Sequence, residues 1–495
     1  MMNTYADSSE NETRPRYWRS LDELEDTPEF QAFVEREFPA GATELADPVT
    51  RRHFMKIMSA SFLLAGAGLT GCRRPVSYIL PFAKQPEGYL HGRPQYYATS
   101  MPTRSGALPL LVKSSDGRPT KVEGNPLHPD SNGATDRFAQ SSLLDLYDPD
   151  RAKQFKQAGN PVARPALLDF LHHLSDEANA NGGRGLCFLL ERGASPSRDR
   201  LQWQISDKFP EARWFVYEPV DFDIHREAAT LAFSQSVKPR YHLDRAKRIL
   251  ALDCDFMGAE EDSSRLIRDF SLGRKIQSPD RDQGEDLLNR LYVVESLMTL
   301  TGMNADHRLR VAPSAVLPVA AALCAQVTGQ SSTKWNQALS RFGTPRGLDP
   351  SWISECGRDL LAHAGHSIVL AGQRQPVAVH LFAHIMNAAL GNLGNTVAFR
   401  DAPAPRAGTL QELVQALEAG RVDTLVVLGG NPVYTAPAEL DWARLQRKAK
   451  LVVRLGYYED ETFTAGDWHI PQLHYLESWG DARSSDGTLV SIQPL

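Results

Sequence analysis

From residue 184 onward, short runs of consecutive Val, Ile and Leu alternate with longer stretches in which apolar residues recur every three or four positions. The runs at 186–190, 214–217, 249–252, 291–294, 368–370, 424–428 and 451–455 predict strands. They show little polar alternation, the pattern of strands covered on both sheet faces. Helices are predicted between them at 198–209, 224–233, 264–270, 316–327, 352–364, 377–390, 410–419 and 442–448. This β-α-β-α order argues for an α/β fold with doubly wound, mostly parallel sheets, because right-handed crossovers place helices on both faces. Ligands on such folds bind beyond the carboxyl ends of the strands.

The stretch 78–151 reads differently. It is rich in Gly and Pro, with short β-like pieces at 108–113 and 120–122, and is expected to form a small β-rich N-terminal module. Another strand-like run lies at 488–492. Before residue 50 the chain is polar and acidic. One helical stretch, 20–37, would put Leu21, Leu24, Phe30, Phe33 and Val34 on a shared face.

Between leader and module lies an export signal. Thr50-Arg51-Arg52-His53-Phe54-Met55-Lys56 reads as a twin-arginine motif. The weakly apolar run 57–71 that follows is shorter than the ~20 residues a bilayer-spanning helix needs, and fits a signal peptide. It ends in Leu69-Thr70-Gly71-Cys72, which resembles a lipoprotein cleavage box with Cys72 as the acylated residue. Acyl chains would tether the mature protein to a membrane, and Arg73 and Arg74 would meet anionic headgroups. Gly66-Ala67-Gly68-Leu69-Thr70-Gly71 matches a dinucleotide fingerprint, but Cys72, two arginines and Pro75 follow where a helix should open, so the match belongs to the signal. The expected organisation is a leader (1–49), a signal (50–72), a small module (73–151) and an α/β body (152–495). The expected location is the periplasmic face of the inner membrane, reached by the twin-arginine route.

With 495 residues, 42% of them hydrophobic, the chain has ample material for a core and is too long for one ordinary domain. A net charge of −6 without a basic stripe argues against nucleic acid as a partner. Cys72, Cys187, Cys254, Cys324 and Cys356 are spaced far more widely than a C-x₂₋₄-C metal site, and Cys187 and Cys254 sit in apolar runs, as buried thiols do. His380 and His384 share a helix face, but the Glu of H-E-x-x-H is missing, which favours structural histidines over zinc ligands. Asp306-His307-Arg308 and the loop holding Asp481, Arg483, Ser484 and Asp486 are read as hydrogen-bonded loops. No catalytic residue or metal ligand is predicted.

Three motifs carry a family resemblance. Thr120–Pro129, "TKVEGNPLHP", is followed by Gly133 and by "LLDLYDPDR" at 143–151. This resembles the end of the small N-terminal domain in the molybdopterin oxidoreductases (complex iron–sulfur molybdoenzymes). Leu428-Gly429-Gly430-Asn431-Pro432 is similar to the turn that, in that family, cradles one half of the pterin dinucleotide. Glu461-Thr462, Asp467 and Pro471 follow in the family's order. The departures are equally specific. The four cluster-binding cysteines are absent from 78–151, and a cluster needs thiolates. Residues 249–258 read "ILALDCDFMG" in place of the other nucleotide turn, with Cys254 a conceivable but disfavoured molybdenum ligand.

That combination resembles one branch, the ActB-type subunits of bacterial alternative complex III, also described as Tat-variant-translocated molybdopterin oxidoreductases. The matching stretches are Tyr17–Leu21 with Glu37-Phe38-Pro39, 125–136, 289–296, Thr301-Gly302 with 305–308, and 372–380. The resemblance implies a cofactor-free structural subunit in which Gly429, Gly430, Asn431 and Pro432 are vestigial. It implies as partners an integral membrane quinol-binding subunit, cytochrome c subunits and an iron–sulfur domain. Because the family's polypeptide usually continues into that cysteine-rich domain, a truncated chain or a split gene is expected. The alternative is a genuine enzyme that lacks the cluster yet holds molybdopterin guanine dinucleotide through Gly429–Pro432.

Overall fold

The computed structural model describes residues 25, 27–37, 88–90, 92–275, 288–329, 337–338, 341–343 and 349–495. The chain divides into two units, Met1–Glu87 and Gly88–Leu495. In the first, the described element is the helix Pro28–Glu37, inside the expected 20–37 stretch and bearing an exposed Phe33. Leu21, Leu24, Arg51, Arg52, the 66–71 fingerprint match and Cys72 lie outside the described residues.

The second unit opens with a three-stranded antiparallel sheet, β1 (Gln95–Pro102), β2 (Ala107–Ser115) and β3 (Arg118–Gly124), in the order β1-β2-β3. After β3 the chain must fold back closely on itself. A methyl group on Gly124 would lie 2.1 Å from the Ala134 carbonyl oxygen, so only glycine fits the turn that starts the "GNP" motif. The helix Arg137–Tyr147 follows, capped by Asp136. The core of this module (Leu110, Val112, Val122 and Ala139) is completed by Tyr475, Leu476, Ala482 and Ile492 from the far end of the chain. The "LYDPDR" residues fasten it further: Arg151 pairs with Glu477 at 2.6 Å, and Tyr458 donates its hydroxyl hydrogen to Asp148 at 3.0 Å.

The remaining strands, in chain order, are β4 (Phe155–Gln157), β5 (Asn160–Val162), β6 (Leu186–Leu190), β7 (Arg213–Val216), β8 (Val237–Tyr241), β9 (Arg248–Leu252), β10 (Arg290–Glu295), β11 (His307–Arg310), β12 (Ser367–Ala371), β13 (Val397–Asp401), β14 (Thr424–Leu428), β15 (Leu451–Gly456), β16 (Trp468–Pro471), β17 (Gly480–Arg483) and β18 (Leu489–Ile492). They build two large sheets. One has the order β5-β4-β16-β15-β14-β6-β7, with β16 through β7 mutually parallel and β4–β5 an antiparallel edge hairpin. The other is the all-parallel β11-β10-β9-β12. Two small antiparallel pairs, β13–β8 and β17–β18, complete the list.

The apolar runs are uninterrupted because both faces of each sheet are covered. In β9, Leu250 and Leu252 pack on the helices Val316–Thr328 and Val377–Ala389, while Ile249 and Ala251 face Leu266 and Phe270 of the helix Ser263–Leu272. In β14, Leu425 and Val427 meet Leu413 and Leu417 of the helix Leu410–Glu418, and Val426 points to Leu167, Phe209 and Trp468. Every predicted strand and helix of the body is present, with ends displaced by a residue or two. The 18-residue helix Arg164–Asn181 escapes the sequence pattern, because it buries only Leu167 and Ala178 and so carries a weak apolar stripe.

Candidate functional site

Each large sheet reverses its strand order once, and each reversal opens a crevice at the strands' carboxyl ends. In the first sheet the chain moves from β6 outward to β7, then returns to the other side of β6 as β14. The crevice between the ends of β6 and β14 is a cleft of about 400 Å³, lined by Leu190, Glu191, Tyr217, Glu218 and Gly429–Pro432 among others. The motif read from sequence therefore lies where this architecture binds ligands.

Gly429 and Gly430 have φ of +78° and +63°, which L side chains rarely adopt, so successive glycines allow the turn. Asn431 then joins it to the third motif. Its Nδ2 donates to Glu461 Oε2 at 2.7 Å, and the Thr462 hydroxyl donates to its Oδ1 at 2.6 Å. Pro432 starts the short helix Pro432–Thr435, whose Thr435 carbonyl accepts the Tyr217 hydroxyl at 2.6 Å. Beneath the turn Arg454 of β15 is 2% exposed. It donates to the Gly429 carbonyl at 2.5 Å and to Asp460 at 2.7 Å. The second and third motifs are thus one hydrogen-bonded assembly.

Glu191, one residue past β6, has no counterpart in the sequence reading. Glu191 as a residue is exposed, and it lines the cleft. Its carboxylate nevertheless lies so close to the turn that a methyl group on Gly429 would be 2.2 Å from Glu191 Oε2. Burial pushes this carboxyl above the usual range, opposed by Arg454, by the Gly430 backbone N–H it accepts, and by Arg198. Glu218 on the same rim is also raised, chiefly by burial and against the pull of Arg104.

At the second reversal, between β9 and β12, the chain packs closely on itself, and a pocket lined by Cys254, Phe256 and Leu370 among others opens beside that packing. Asp253 follows β9 with φ +49°, and a methyl group on Gly372 would lie 1.9 Å from its carbonyl oxygen. Gln375 Nε2 donates to Asp253 Oδ2 at 2.8 Å, while Asp255 accepts from the Thr301 amide and hydroxyl at 3.1 and 2.9 Å. Cys254 between them is buried. Burial first, and then the negative charges of Glu260, Asp255 and Asp253, hold its thiol well above the ordinary range. A metal ligand must be a thiolate, and every neighbour named here disfavours one.

The other candidates separate. His380 and His384 are buried on the helix Val377–Ala389, the first edge-on to His225 and the second to Phe233. No group of three or more His, Cys, Asp or Glu able to hold a metal occurs among the described residues. Asp306 accepts the Leu291 amide at 2.7 Å, whereas Arg308 turns to Glu295. Asp481 accepts from Ser195 and Ser197, Ser484 donates to Asp486, and the neighbouring Ser485 donates to Asp130 at 2.7 Å.

A pterin dinucleotide would need an anion seat in each half of the body. In one half a carboxylate already lies beside the glycine turn, and in the other Asp253, Gln375 and Gly372 crowd the turn after β9, beside a pocket that holds Glu260, Glu261 and Asp262. The residues present do not fit that group.

The parallel sheets with two order reversals, preceded by a small β-rich module, make this an α/β protein of molybdopterin oxidoreductase-like fold. Acetylene hydratase from Pelobacter acetylenicus superposes with a TM-score of 0.58 at 10% identity, over 77% of this chain and 64% of that one. The chain thus spans less than two thirds of that enzyme's length. A chain of the formyltransferase/hydrolase complex (FhcABCD) from Methylorubrum extorquens aligns at 11% identity and a TM-score of 0.45, over 69% of this chain and 93% of that one. No protein-family model and no curated protein matches at the level of sequence.

Proposed function

We propose that the chain is a structural, cofactor-free subunit of a membrane-bound respiratory quinol:electron-acceptor oxidoreductase of the alternative complex III type. It would be exported through Arg51 and Arg52, anchored through an acylated Cys72 at the periplasmic face, and docked to an integral membrane quinol-binding subunit, cytochrome c subunits and an iron–sulfur domain that carries the electrons. Among the described residues no helix is long and apolar enough to cross a membrane.

The observation that supports the cofactor-free reading is the crowded turn after β9. Asp253, Gln375 and Gly372 pack on one another where the family's other nucleotide turn is expected. One observation favours the alternative of a genuine molybdopterin enzyme: the cleft at Gly429–Pro432 is open. Metal analysis of the purified full chain, with oxidative extraction of pterin, separates the two. The structural subunit yields neither molybdenum nor pterin fluorescence. Stoichiometric molybdenum defeats it.

A further inference from the structure

We propose that Glu191 is the residue that closes the first cleft to phosphate-bearing ligands, by laying its own carboxylate in the glycine turn where an oxyanion would sit. Backbone N–H groups in positive-φ turns form concavities suited to anions; here the Gly429 N–H is given to the Leu455 carbonyl at 3.0 Å, and the Gly430 N–H is the one that faces Glu191. Here the positions where Gly429 and Gly430 would carry side chains lie 2.2 Å from Glu191 Oε2 and 3.4 Å from Oε1. The space beside the turn is therefore held by an acid that follows a different strand, β6. Arg454, buried beneath the turn on the Gly429 carbonyl, and Arg198, which donates to the Glu191 carbonyl at 3.0 Å, lend the seat its positive charge. The same charge would favour a phosphate once the carboxylate were gone.

Glu191 excludes such a ligand twice over. Its oxygens take the volume, and its charge repels a second anion at contact distance. Glu218 adds a second negative charge to the rim without entering the turn. This inference rests on the reading above, in that it names what keeps the first cleft free of a dinucleotide.

The test uses the purified full chain, with inorganic pyrophosphate as the probe, titrated by calorimetry at neutral pH. Glu191→Gln and Glu191→Ala should each bind at least about tenfold more tightly than the wild type. Glu218→Gln should stay within about twofold of it. Thermal melts followed by circular dichroism establish that the variants are folded, and two Glu191 variants guard against a fault peculiar to one. Three results overturn the proposal: a wild type that binds as tightly as the variants, folded Glu191 variants that gain nothing, or a Glu218→Gln gain equal to theirs. Molybdenum in the wild-type preparation would overturn the structural-subunit reading instead, leaving the ranking of variants to decide the role of Glu191.

Discussion

The Thr462 hydroxyl donates to Asn431 Oδ1 at 2.6 Å and accepts the Val433 amide at 3.2 Å. Thr462 is fully buried, 31 positions along the chain from Asn431. Two motifs that stand apart in the sequence are partners of each other. In this chain they hold the shape of a turn.

Thr462→Val keeps the shape and removes the hydroxyl. It leaves Asn431 Oδ1 and the Val433 amide each short of a bond, at a cost of about 2 kcal/mol. Urea unfolding followed by fluorescence should move to lower denaturant by that amount, and Thr462→Ser should recover much of it. A Thr462→Val chain as stable as the wild type would mean the bridge carries no structural weight.

Arg454→Met removes a cation that is 2% exposed and leaves Asp460 and the Gly429 carbonyl without their partner. Breaking a buried pair from one side typically costs about 3–5 kcal/mol. Adding Asp460→Asn removes the stranded charge, so the double variant should be less destabilised than the sum of the two single variants. Strict additivity in a thermal-melt cycle would refute the coupling.

Acid should weaken the fold through its buried histidines. Burial pushes His380 down to about 3 and His384 down to about 4, with the nearby His225 adding to both shifts. Their unfolded pKa is near 6.5, so the native state holds them neutral while the unfolded state takes up protons. Stability is full above pH 6.5 and falls as pH drops toward the native values. Between pH 7 and 5 one such histidine accounts for about 2 kcal/mol. His384→Phe, set among Phe233 and Phe399, should flatten the pH dependence of the melting temperature by that share; an unchanged slope would place the acid sensitivity elsewhere.

The sheets are legible in the sequence because burial on both faces leaves unbroken apolar runs, as in β9 and β14. The glycine turn is legible because two glycines directly after an apolar run mark a turn, and both have positive φ. Glu191 is not legible, since an acid one residue past a strand is ordinary loop composition and its reach into the turn depends on β6 lying beside β14. The close packing after β9 is hidden for the same reason. Asp253 and Gly372 are 119 positions apart and meet only because β9 pairs with β12. The histidine pair illustrates the complementary limit: helical spacing puts His380 and His384 on one face, and only packing reveals His225 as their neighbour.

The thiols offer the most direct check on whether the chain can grip a metal. Cys187, Cys254, Cys324 and Cys356 are free and at most 4% exposed. Burial pushes Cys187 up to about 11 and Cys324 up to about 12, and holds Cys254 and Cys356 high as well. A thiol in that state is neither nucleophile nor ligand, because both roles belong to the thiolate. With Cys72 replaced by Ser, the folded chain should therefore show no fast reaction with Ellman's reagent at pH 8. In guanidinium chloride all four thiols should react. A fast thiol in the folded protein, quenched by adding molybdate or iron, would show that at least one sulfur is within reach of a metal and would reopen the case for a redox centre in this chain.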